Sequence, residues 1–211
     1  MIISISGQRD IKIVGIVKAL KSYGDLVEKL IRDYNFIEIL LSTTNEDING
    51  IREFIKAPFE ISLDDLEIMY EQLMKNFGET SVPPEAYVRA VKLADERGLK
   101  IRGIDIPEGD YEDLYVKFID IKDLILLSLR KNRLMKKKWS IDNPEKTSLE
   151  WDKEVSKGGY RRLENEREKF MANQIALSQS ERILVIIEIE RLSGVINYLK
   201  NQMPEYKFQV I

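Results

Sequence analysis

The chain has 211 residues, and at roughly 150 residues per domain it amounts to about 1.4 domains. Hydrophobic residues make up 44% and charged residues 33%, and 33 Lys and Arg against 36 Asp and Glu leave a net charge of −3, too little of a basic field to hold nucleic acid or an anionic membrane globally. His and Cys are both absent, which excludes a Ser-His-Asp triad, a Cys nucleophile, a zinc finger and a Cys-ligated cluster.

Ile2 to Ser6 alternates β-branched and small residues, Gly7 to Asp10 reads as a turn, and Lys12 to Val17 is a second β-rich run. From Lys21 to Tyr34 the residues Leu26, Val27, Leu30, Ile31 and Tyr34 recur at helical spacing. Phe36 to Leu41 is nearly continuous in apolar residues, the mark of a strand covered on both faces. Hairpin, helix and buried strand together open an α/β sheet with parallel strands. Thr43 to Lys56 predicts a short helix stopped by Pro58. Ser62 reads as the N-cap of a helix over Leu63 to Phe77, with Asp64, Asp65 and Glu67 in its first turn and Gly78 at its end. Pro83-Pro84 starts a helix at Glu85 that runs to Gly98, and Lys100 to Ile106 is the next strand.

Residues 110–178 hold no good strand. Asp120 to Lys138 predicts a helix with Ile121, Leu124, Ile125, Leu127 and Leu134 as its apolar stripe, and Thr147 to Val155 and Arg161 to Ser178 predict two more, separated by Gly158-Gly159. Strand signals return in Arg182 to Ile189, followed by a helix at Ser193 to Asn201 and a last strand at Tyr206 to Ile211. The expected fold class is α/β: a mixed, mostly parallel sheet built from both ends of the chain, forming one domain over 1–211 with 110–178 as a helical insertion. Ile183 to Ile187 is too apolar for a solvated edge, so strands after Arg182 should pair with strands before Ile106.

The N-terminus has no charged n-region followed by a long apolar stretch, and no apolar run approaches the roughly 20 residues that span a bilayer. These features, with the lack of Cys, suit a cytoplasmic protein with no membrane partner. Isoleucine occurs 28 times and alanine seven, a bias that resembles thermophile proteins and that an AT-rich genome also produces.

Neither a Gly-x-Gly-x-x-Gly nor a Walker-type loop follows a strand, and no Gly-x-Ser-x-Gly elbow occurs. No cofactor is therefore expected, and a metal would have to be a hard ion such as Mg²⁺, Mn²⁺ or Ca²⁺ on oxygen ligands. Arg130, Lys131, Arg133, Lys136, Lys137 and Lys138 form a basic run. It reads either as a phosphate-binding face or as a solvated helix end whose cations complement the dipole; with the acidic chain, nucleic acid is not the expected partner. The helix Arg161 to Ser178 carries Glu164, Glu166, Arg167, Glu168 and Lys169 beside Phe170 and Ile175, so part of this charged set must be paired where it is buried.

Several segments together resemble the TraB/PrgY family, related to Tiki-type proteins and the EreA/ChaN-like superfamily. Val14-Gly15-Ile16-Val17-Lys18 followed by a helix and Phe36-Ile37-Glu38 looks like the family's opening, where a strand ends in Gly-x-x-His and the next ends near an acidic residue. The Pro-Pro-Glu helix start leading to Ile104-Asp105 resembles its middle segment, and Glu166-Arg167 with Met171-Ala172 resembles its Glu-Arg helix motif. Ile183 to Val195, with Leu192-Ser193-Gly194-Val195 opening a helix, resembles the segment carrying the second Gly-x-x-His.

Tiki-type members are considered metal-dependent proteases, which implies that the two histidines help to bind or activate a metal. Here Lys18 stands at the first position, and Arg191, within Glu188-Ile189-Glu190-Arg191, at the second. A cation cannot replace neutral imidazole as a metal ligand. The resemblance thus implies a scaffold whose metal-dependent hydrolysis is lost, with no catalytic residue kept, and which binds a protein partner, a second copy or a small anionic ligand. The candidate ligand-binding residues are Lys18, Glu38, Asp105, Glu166, Arg167 and Arg191, with Lys18 and Arg191 facing Glu38 and Glu166. The alternative is a hydrolase or protease holding a hard divalent cation on Glu38, Asp105, Glu166, Glu188 and Glu190.

Overall fold

The alternating segments at the N-terminus form the antiparallel hairpin β1 (Ile2–Ser6) and β2 (Asp10–Ile16), paired so that Ile3 faces Ile13 and Ile5 faces Ile11 in a computed structural model that describes all 211 residues. The chain continues through α1 (Ser22–Asp33), β3 (Glu38–Leu41), α2 (Asn45–Lys56), α3 (Asp65–Met74), α4 (Glu85–Arg97) and β4 (Lys100–Gly103). Four helices follow without an intervening strand: α5 (Glu108–Phe118), α6 (Ile121–Lys136), α7 (Pro144–Val155) and α8 (Gly159–Leu177). The chain then returns to the sheet as β5 (Arg182–Glu188), α9 (Ile189–Gln202) and β6 (Lys207–Val210).

The six strands lie in the order β4-β3-β5-β2-β1-β6. β5 is parallel to both neighbours, from Asp10 opposite Arg182 to Ile16 opposite Glu188 on one side and from Glu38 opposite Ile183 to Leu41 opposite Ile186 on the other. β3 and β4 are parallel as well, while β1 runs against β2 and β6. The sheet is thus mixed, mostly parallel and assembled from both ends of the chain, as expected. β5 is central because six of its seven residues are buried. Its alternate side chains serve opposite faces: Ile183, Val185 and Ile187 meet Met171 and Ile175 of α8 and Leu192, Val195 and Leu199 of α9, whereas Leu184 and Ile186 meet Val27 and Ile31 of α1 and Tyr87, Ala90 and Val91 of α4. Each fully buried Ile or Leu contributes about 1.5–3 kcal/mol, so a solvated edge position for this strand would forfeit most of the core.

Three expectations are corrected. The N-cap of α3 is Asp64 rather than Ser62: its carboxylate accepts from the N–H groups of Leu66 and Glu67, and Glu67 reaches back to the Asp64 N–H. α9 starts at Ile189, four residues before the expected Ser193, so Arg191 lies in a first helical turn and not in the connection between strand and helix. The stripe expected on α6 divides between two faces: Leu134 is buried and Leu127 half-buried, while Ile121, Leu124 and Ile125 are exposed.

Two glycines set close approaches that shape the carboxyl edge of the sheet. A Cβ at Gly15 would press into Ile189 and Leu192, so the start of α9 rests directly on β2. A Cβ at Gly103 would enter the backbone of Thr43 to Asn45, so the β3–α2 turn sits against the end of β4.

Candidate functional site

The parallel strands β2, β3, β4 and β5 end at one edge and deliver Lys18, Ser42, Asp105 and Glu188 there, the edge at which open α/β sheets bind ligands. A cleft of about 740 Å³ opens at this edge, lined by Lys18 and Glu188 and walled by Leu66, Tyr70, Val82, Tyr87 and Trp151. Its size lies within the range of small-molecule sites.

Glu188 is buried at the last position of β5. Ser42 Oγ donates to Glu188 Oε2 at 2.5 Å and shares a hydrogen bond with the Tyr87 hydroxyl at 2.8 Å, and Lys18 Nζ stands 3.9 Å from Oε1. Burial by itself would raise this carboxyl, but Lys18, Arg167 and the Ser42 hydroxyl outweigh it and hold Glu188 below the usual carboxylate range. Two residues on, Glu190 receives donors at Oε1 from Tyr70 at 3.2 Å and from Ser148, while Oε2 is buried with no partner. Burial dominates here and raises the Glu190 carboxyl. The same cleft wall therefore holds one carboxylate that favours ionisation and one that resists it.

Behind the cleft lies a charge network between α7, α8 and α9. Arg191, with a side chain 6% exposed, pairs with Asp152, with Glu164 at 2.9 Å and with Glu168 at 3.2 Å. Arg167 pairs with Asp105 and, at 2.9 Å, with Glu164, and Arg161 reaches Glu168 at 3.2 Å. Burial works against the charge on Arg191, yet Glu164, Asp152 and Glu168 hold its proton more firmly than usual. Glu168 is 2% exposed, and its burial raises its carboxyl in spite of Arg191 and Arg161. Gly194 of α9 lies against it, and a Cβ there would collide with the Glu168 carboxylate.

Of the six residues expected at the site, Lys18, Arg167 and Arg191 line the cleft, and Asp105 joins them through Arg167. Glu38 and Glu166 do not. Glu38 is the first residue of β3, so it lies at the opposite edge of the sheet, where Arg102 (2.9 Å) and Ser178 bind it; the end of that strand presents Ser42 instead. Glu166 points to solvent on α8, 42% exposed and 4.0 Å from Lys169. Glu164 and Glu168 take the partnership with Arg191 that was expected of Glu166, because they share the buried side of α8 with Leu163 and Met171. Sequence reading missed Ser42, Tyr70, Tyr87, Ser148 and Asp152. The four-residue spacing of Glu164 and Glu168 was the usable signal; isolated hydroxyls and a lone Asp leave no periodic trace.

The carboxylates do not form a metal centre. No group of three lies close enough to hold an ion, and the five of the hydrolase alternative are dispersed, with Asp105 bound to Arg167 and Glu188 to Ser42 and Lys18. The cleft lining holds eight carboxylates (Glu46, Asp47, Glu67, Glu71, Asp152, Glu164, Glu188 and Glu190) against the three cations Lys18, Arg167 and Arg191, each of which is ion-paired. Fold and site together define a three-layer α/β protein with an acidic, aromatic-walled cleft at the carboxyl edge of its parallel strands. No protein-family model and no curated protein matches the chain.

Proposed function

We propose that this chain is a TraB-like scaffold that has lost metal-dependent hydrolysis and acts in the cytoplasm by binding a small ligand in the cleft at the sheet's carboxyl edge. One observation carries the reading. A cleft opens at this edge, while the two positions that would carry the family's histidines hold Lys18 and Arg191, whose charges are taken up by Glu188 and by Asp152, Glu164 and Glu168. The excess of carboxylates and the unpartnered Oε2 of Glu190 favour a ligand that brings hydrogen-bond donors or positive charge, with an apolar body against Tyr70 and Trp151.

A second reading, a small anion, is favoured by Lys18 alone. Its side chain is 49% exposed, the most open of the three cleft cations. Thermal-shift screening of amines, polyols and small anions against the purified chain separates the two. Amines or polyols should raise Tm in the wild type and lose that effect in Glu190→Ala, whereas anions acting through Lys18 should lose theirs in Lys18→Met. A chain stabilised by no ligand class, or one that cleaves peptides only with added Mn²⁺ or Mg²⁺, would overturn the proposal.

A further inference from the structure

The exposed face of α6 is unusual for a water-facing helix. Ile121, Ile125 and Leu129 follow one another at intervals of four residues and are 77%, 55% and 63% exposed, and Leu124 and Met135 widen the same stripe. The opposite side does the anchoring: Leu134 enters the core, and Asp123 closes the capping box with Asp120 and accepts the Gly159 N–H at 3.1 Å. The apolar stripe is therefore surplus to the fold.

Cations flank it. Lys122, Arg133, Lys136 and Lys138 have no carboxylate within 4.0 Å, in contrast to Lys131 and Lys137, which are bound by Asp65 and by Glu150 and Glu154. On a chain of net charge −3 this makes a local basic island around exposed Ile and Leu. The 16 residues of α6 extend about 24 Å, shorter than the roughly 30 Å of hydrocarbon in a bilayer, and no helix of the protein is long and apolar enough to cross one. A helix of this kind lies in the interface, with its apolar side chains among the acyl chains and its cations reaching the headgroups.

We propose that α6 docks the protein peripherally on an anionic lipid surface. The four unpaired cations select this occupant, because a second copy would bring the same four and no free carboxylate on that face. The exposed Glu108, Asp110, Glu112 and Asp113 of the neighbouring α5 would instead draw a second copy, and the experiment separates the two.

The protein is sedimented with vesicles of phosphatidylcholine alone and with vesicles of equal parts phosphatidylcholine and phosphatidylglycerol. It should pellet with the anionic vesicles only, and rising salt should release it. Arg133→Gln and Lys136→Gln should each lower the partition coefficient about five-fold. Leu129→Asp should abolish binding, with an unchanged thermal melt because the side chain is exposed. Failure to bind anionic vesicles at low salt would overturn the proposal. So would binding indifferent to these changes, or a dimer in solution that Leu129→Asp splits.

Discussion

Both edges of the parallel strands bury a carboxylate against a cation and a serine hydroxyl, and they use it differently. At the amino edge Glu38 is gripped by Arg102 and Ser178 beside a polar recess of about 560 Å³, and both of its carboxylate oxygens are taken. At the carboxyl edge Glu188 is gripped in the same way by Ser42 and Lys18, but Glu190 stands two residues beyond with a buried oxygen left over, beside a cleft of about 740 Å³. A buried charge is therefore a poor mark of a binding site in this protein. Spare hydrogen-bonding capacity next to open volume is the better one, because a satisfied pair has nothing further to offer a ligand.

The sharpest way to break this contrast is to unpair the network behind the cleft. Arg191→Met takes one partner each from Asp152, Glu164 and Glu168, which keep only Arg161 and Arg167, and is expected to cost about 3 kcal/mol in urea unfolding, the low end for a broken buried pair. Adding Glu168→Gln should recover part of that loss. Glu166→Gln, at an exposed position, should stay within about 0.5 kcal/mol. Equal costs for Arg191→Met and Glu166→Gln would show that the network does not hold α9 in place.

Gly194→Ala probes the same edge by volume rather than charge. The added methyl must displace the Glu168 carboxylate, and an overpacked site of this kind costs about 1–3 kcal/mol. An unchanged urea midpoint would mean that α8 and α9 approach less closely.

The smallest expected effects are the most diagnostic, because Glu38 at one edge and Glu190 at the other should respond to pH with opposite signs. Burial raises the Glu38 carboxyl, but hydrogen bonds from Ser178 and Arg102 more than offset it and lower it below the ordinary value of 4.5. Its stabilisation is present above 4.5 and is lost as pH falls through the lower folded value. Glu38→Gln should therefore cost about 1 kcal/mol at neutral pH and progressively less in acid. Glu190 is raised by burial, so its contribution is present below 4.5 and is lost as pH rises through the higher folded value. Glu190→Gln should be neutral in acid and stabilising at neutral pH. Stability curves of the two variants with the same pH slope would erase the distinction between the edges.

What the sequence determined by itself was local and periodic. The apolar run of β5 could only be buried on both faces, which places it at the centre of the sheet and requires strands from both ends of the chain. Caps and breakers marked most helix ends, and the ends of β2 and β5 carried Lys18 and Arg191 to one edge. The tertiary structure decided the rest. Glu38 and Ser42 belong to the same short segment, and only the direction of β3 in the assembled sheet assigns Ser42 to the cleft and Glu38 to the far edge. Glu164, Glu166 and Glu168 are chemically alike, and only the rotation of α8 against α9 selects Glu164 and Glu168 as partners of Arg191. The stripe on α6 has the period of a core face, yet nothing in the fold covers it. Periodicity tells which side chains share a face; what that face meets is set by packing between distant segments, which no local pattern encodes.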